Sequence, residues 1–190
     1  MNIPTKEQLN ALRDECYKIA REHGFHDEEH SERHFLCLVI TELMEAVDAD
    51  RKGKHADIKT FNAALDGFAC EIAFDGYIKD TVEDELADAA IRILDLAGYQ
   101  NFDIAESVEI KLCYDDEATQ DHTPLRDYFR THTFTEAVFV IVEEVILGGI
   151  DSAFTALFLL ADVMGFDLME HIRLKMEYNK TRERLHGKRY

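Results

Sequence analysis

Proline occurs twice in these 190 residues, glycine nine times and tryptophan not at all. A chain with so little punctuation, rich in Ala, Leu, Glu, Asp and Ile, leans toward long helices. Convincing period-2 alternation is also missing, so no sheet is expected. The longest apolar runs, such as Ala137–Val142, fall far short of the roughly 20 residues that span a bilayer. The opening MNIPTKEQLN lacks the basic-then-apolar pattern of a secretory signal. No Cys-x-x-Cys pair is present. Cys16, Cys37, Cys70 and Cys113 are scattered, and the first three sit in stretches that read as helical. They are expected to be buried free thiols of a reducing compartment, and the protein to be cytoplasmic. The patterns GxxxxGK[ST], GxGxxG and GxSxG are absent, which leaves P-loop, Rossmann and serine-hydrolase readings without support.

What is present is acid. Thirty-nine Asp and Glu against 21 Lys and Arg give a formal charge of −18, which repels a nucleic-acid polymer. A small nucleotide is different, because a divalent metal held by carboxylates inverts the local field. The hydrophobic share of 46% argues against disorder and for a sizeable core.

The coarse reading is all-α. Thr5 and Glu7 open a helix that runs to about His23. After the loop GFHDEEH, a long helix covers about Ser31 to Arg51. Residues 56–77 read as one helix, and another long one runs from about Lys79 to Ala97. Asp103 looks like an N-cap. EATQDHTPLRDYF is the best linker candidate, with its boundaries at about 117–130. Beyond it lie helices over about Phe134–Leu147, Asp151–Met164 and, capped by Asp167, a last one to about Arg184.

Residues 102–115 (FDIAESVEIKLCYD) align without gaps on 166–179 (FDLMEHIRLKMEYN), with five of fourteen positions identical, where chance gives about one. Asp95-x-x-Gly98 also resembles Asp162-x-x-Gly165, and Val39-Ile40-x-Glu42 resembles Val140-Ile141-x-Glu143. The expectation is a degenerate internal duplication, with one unit at about 24–115 and a second at about 131–190.

Two acidic pairs at i,i+3 spacing carry the chemistry: Glu42-Leu-Met-Glu45 and Glu85-Leu-Ala-Asp88. Residues three apart share a helix face, so each pair can grip one cation. Mg²⁺ takes hard oxygen ligands, with water and phosphate filling the remaining positions. At about 100° per residue, Glu42 falls between Leu38 and the group Phe35, Ala46 and Val39, inside the apolar stripe. A carboxylate there is costly unless a cation compensates it. Glu45 sits on the edge of that stripe. Acidic helical proteins contain such pairs without a metal, and Asp88 could instead pair with Arg92 at i,i+4.

The run FLCLVITELMEAVDADRKGK, followed by VEDELADAAIRILDLAG, resembles the MazG-like all-α nucleoside-triphosphate pyrophosphohydrolases, a superfamily related to the dimeric dUTPases. Their hallmark is ExxE on one helix and ExxD on a later one. GFHDEEH is similar to the loop leading into their first motif. LKMEYNKTRERLHGKRY is similar to their basic C-terminal segment. The resemblance implies Mg²⁺-dependent hydrolysis of a nucleoside triphosphate, a deoxynucleoside triphosphate foremost, to the monophosphate and pyrophosphate, with Mn²⁺ as a substitute metal. Glu42, Glu45, Glu85 and Asp88 would then be metal ligands, with Glu45 the water-positioning base and Glu42 a bridging ligand. Lys175, Asn179 and Arg182 would contact substrate, and His26 and His30, in the loop, would lie near the nucleotide pocket or simply face water. Related proteins commonly assemble, so a homo-oligomer is compatible with the resemblance.

Two departures stand out. The stretch between Glu45 and Glu85 is long for the family. The second half keeps Glu143 but has Ile146 where a partner acid would stand, which leaves one working site. The alternatives are a catalytically inactive nucleotide-binding or interaction protein on the same scaffold, and a di-iron carboxylate bundle. The latter wants Glu-x-x-His on two helices, and only Glu183-x-x-His186 fits.

Overall fold

The computed structural model describes residues 4–108 and 124–187, and all regular structure in them is helical. Helix α1 (Lys6–Glu22) starts at a capping box in which Thr5 and Gln8 satisfy each other's backbone N–H groups. Helix α2 (Glu32–Arg51) follows the GFHDEEH loop. Residues 56–77, expected as one helix, form two short ones. These are α3 (Ile58–Ala64), capped by Asp57, and α4 (Cys70–Tyr77). The break falls at Leu65–Ala69, where Asp66-Gly67 favours a turn. Helix α5 (Val82–Tyr99) is capped by Thr81 and begins later than the expected Lys79.

The expected linker also differs. Pro124 is the N-cap of a helix, α6 (Leu125–Thr131), because proline tolerates the position before a helix that needs no N–H. Phe129 anchors α6 in the core at 4% exposure. Helix α7 (Phe134–Glu143) opens on a second capping box, at Thr133 and Glu136. It runs on as a π-helical turn over Glu144–Gly148. Helix α8 (Ile150–Met164) ends at left-handed Gly165 (φ 85°), and α9 (Leu168–Lys180) starts from the Asp167 cap. The two helices meet at 109°. No single helix among the described residues is long and apolar enough to cross a membrane.

Helix α5 is the axis of the bundle. It packs against α1, α2, α8 and α9, and Leu86, Ile93, Leu94 and Leu96 on it are fully buried. Ala87, Ala89, Ala90 and Ala97, equally buried, keep the neighbouring helices close. A helix covered on most sides leaves its polar groups little water, so they depend on partners from other parts of the chain.

One core runs from Leu9 to Met176 through both expected units, so the halves do not form separate cores. What recurs locally is a helix stop. Asn101 (φ 52°) and Gly165 (φ 85°) are both left-handed. Phe102 N–H donates to Ala97 O (2.8 Å) as Phe166 N–H donates to Ala161 O (3.1 Å). Gly165 thus stands where Asn101 does, not where Gly98 does. This turn ends many helices, and it does not establish a duplication. Residues 109–115 of the first copy, Cys113 and the linker stretch 117–123 lie outside the described residues. The thiol expectation holds for Cys16 alone, since Cys37 and Cys70 are exposed.

Candidate metal centre and adjoining cleft

Helices α2 and α5 bring three of the four expected ligands together. One carboxylate oxygen from each of Glu42, Glu45 and Glu85 lies within 4.8 Å of the others. Glu42 is 3% exposed and Glu85 6%, while Glu45 faces solvent. The stripe position of Glu42 therefore buries it as its helical phase requires. Its charge is answered by a group that the sequence pairs elsewhere: Arg92 Nε donates to Glu42 Oε1 at 3.0 Å. Arg92 sits one turn beyond Asp88 on α5 but crosses to α2.

Asp88 does not join the three glutamates. Its Oδ2 lies 2.8 Å from Lys175 Nζ on α9, and the same ammonium donates to Asp84 Oδ2 at 2.8 Å. Asp84 also accepts the Asp80 backbone N–H at 3.0 Å. Its other oxygen, Oδ1, is buried with no partner among the described residues. Lys175 is thus enclosed between two acids and is not presented to a substrate phosphate. Asp84 was the acid missed in the sequence. The one available signal was its i,i+4 relation to Asp88, which says nothing without the lysine.

The electrostatics follow from crowding. Burial pushes the Glu85 carboxyl up to about 8, with Asp88 and Asp84 adding to the shift. Burial also raises Asp84, against the pull of Lys175. Lys175 stays above its ordinary value: desolvation works against its charge, but Asp88 and Asp84 outweigh it. Five acids face two cations here. A proton on Glu85 relieves part of the excess, and a divalent cation would relieve more. The donor set is all hard oxygen with solvent access at Glu45, which fits Mg²⁺ or Mn²⁺.

Beside the acids lies a small cleft, partly open to solvent. Cys16, Ile19, Phe25, Ile91 and Met176 give it apolar walls. Asp88, Arg92, Asp95, Asn179, Arg182 and His186 supply polar groups. Arg92 spans both regions, since its guanidinium also lies 5.4 Å from the Phe25 ring centre. Asn179 is buried, and its Oδ1 has no partner among the described residues. Arg182 lines the cleft, and its guanidinium donates to the His186 carbonyl at 3.1 Å.

The histidines divide. His26 clusters with Phe35 and Tyr99 and holds Asp95 Oδ1 at 2.7 Å, so it meets the cleft through Asp95. His30 stacks on His34 at 4.1 Å and lines a neighbouring hollow with Arg92 and Asp95. In the second half, Glu143 and Ile146 are both exposed on the surface. Among the described residues, Glu42, Glu45 and Glu85 form the one group of three metal-capable side chains that converge. Phe25, Asp95 and His186 were not read as cleft residues from sequence; Asp95 entered only the repeat comparison and His186 only the Glu183-x-x-His186 pattern, and neither spacing points to a cleft. Comparison of the chain with protein-family models, with curated proteins and with solved structures gives no match.

Proposed function

We propose that this protein hydrolyses a nucleoside triphosphate to the monophosphate and pyrophosphate with a divalent metal, Mg²⁺ foremost. The observation that carries the reading is the convergence of Glu42, Glu45 and Glu85 beside a cleft with aromatic and polar walls. Bound there, the metal would neutralise phosphate charge and make a coordinated water more acidic.

The chain's own residues divide the rest of the work. Glu42, fixed by Arg92, and Glu85 would hold the cation from two helices. Glu45, at the solvent edge, would orient the attacking water and take its proton. The water oxygen bonds to the α-phosphorus as the bond from that phosphorus to the bridging oxygen breaks, and pyrophosphate leaves with that oxygen. The nucleoside would occupy the cleft, with Phe25 offering a ring face and Asn179 and Asp95 offering hydrogen-bonding edges. Arg182 would reach phosphate as a bidentate fork.

The test is incubation of the purified protein with canonical and modified nucleoside triphosphates, with and without Mg²⁺, reading pyrophosphate and monophosphate release. Expected is Mg²⁺-dependent release of both, abolished in Glu42→Gln and Glu85→Gln. A folded wild-type protein that turns over no nucleotide overturns the assignment.

A further inference from the structure

Lys175 and Asp84 have no part in that scheme, yet they sit against one of the four expected ligands. Lys175 Nζ is equidistant, at 2.8 Å, from Asp84 Oδ2 and Asp88 Oδ2. The two acids are not equally held. Asp84 is 1% exposed and is tied to the Asp80 backbone N–H, whereas the Asp88 side chain is 20% exposed on the cleft wall. The Phe74 ring centre lies 5.6 Å from the ammonium on the inner side, a distance at which a ring face stabilises a cation. Opening the Asp88 bridge would therefore leave Lys175 still compensated by Asp84 and Phe74. Opening the Asp84 bridge would strand a buried carboxylate, which is far costlier.

We propose that Lys175 is a positioning residue that withholds Asp88 from the three-glutamate cluster until a divalent cation enters and takes it. The proposal rests on the metal site of the preceding reading. An ammonium and a divalent cation compete for the same carboxylate. Asp88 stands one helical turn after Glu85 on the same face of α5, which places it next to the cluster it would complete. Lys175 then lowers the affinity for free metal. The acidic mouth closes on a cation only when the gain at Asp88 exceeds the loss at Lys175.

The experiment measures Mn²⁺ affinity of the full chain by titration calorimetry, without nucleotide, over a double-mutant cycle of Lys175→Met and Asp88→Asn. Lys175→Met is expected to tighten Mn²⁺ binding roughly tenfold, mid-range for residues in direct contact, and to have no effect once Asp88 is Asn. Equal tightening in both backgrounds means that the lysine acts only as a distant charge, which overturns the proposal, as does an unchanged affinity in Lys175→Met. If circular dichroism shows that Lys175→Met does not fold, the same cycle is run on Asp84→Asn, which removes one buried acid along with the lysine; the same outcomes decide it. Wild-type protein that binds no Mn²⁺ overturns this proposal and the metal-dependent reading together. Binding without coupling overturns this one alone.

Discussion

At the scale of the residue, the most informative group is Glu85. Its folded value near 8 stands well above the ordinary value of about 4.3. Between those limits the folded chain keeps a proton that the unfolded chain has released. The stability that Glu85 contributes to the metal-free protein is therefore full below about pH 4.3 and lost as pH rises through about 8. Glu85→Gln imitates the protonated form. In thermal unfolding with chelator present, the variant should gain on wild type from pH 5 to pH 8; with Mg²⁺ in place of chelator, it should lack the stabilisation expected of wild type. Parallel pH curves for the two proteins would refute the crowding argument.

Histidine at the cleft makes the opposite prediction. Burial, then Arg182 and His23, lower His186 to about 3, and burial also lowers His171. The unfolded chain then binds more protons below the ordinary value of about 6.5, so stability falls as pH drops through that value toward 3. His186 has φ 51°, a conformation that asparagine tolerates. His186→Asn should flatten part of the acid loss in a melting-temperature series from pH 7 to pH 4.

At the scale of the element, the packing of α5 is the feature to test. A Cβ placed on Gly98 would lie 2.6 Å from Tyr17 Cβ and 3.3 Å from the Arg13 carbonyl oxygen of α1. Helix propensity favours alanine there by up to ~1 kcal/mol. The clash lies near the α1 backbone and not at a flexible tip, so overpacking should win. Gly98→Ala is expected to destabilise by roughly 1–2 kcal/mol in urea unfolding; a stabilised variant would mean that α1 yields easily. The start of α5 has a similar lever. Thr81 accepts the Asp84 N–H at 3.3 Å and donates to Ile78 O at 2.6 Å. Thr81→Ala should cost about 1 kcal/mol of stability and weaken Mn²⁺ binding, because the turn it pins carries Asp84 and Glu85. A stability loss with metal affinity intact would separate the cap from the site.

At the scale of the whole molecule, the charge of −18 is a standing self-repulsion that salt screens. The melting temperature of the metal-free protein should climb as NaCl rises from 10 to about 150 mM, where the screening length falls toward 8 Å. A flat response would show that the surface charge is already compensated locally.

The same chain shows how far sequence reaches. Helix α2 was placed to within a residue, and Glu42 was assigned to the buried stripe, because helix phase and capping are set by residues a few positions apart. The break between α3 and α4 and the helix within the expected linker were missed. Short helices depend on packing, here of Phe61, Phe74 and Phe129, more than on propensity. Local pattern thus determined the all-helical class, the main helices and the two acidic pairs. Only the tertiary structure decided who answers each charge. Arg92 serves Glu42 across 50 residues, and Lys175 serves Asp84 across 91. No spacing rule spans such separations, because those partners are chosen by how buried helices meet and by the cost of leaving an acid there alone.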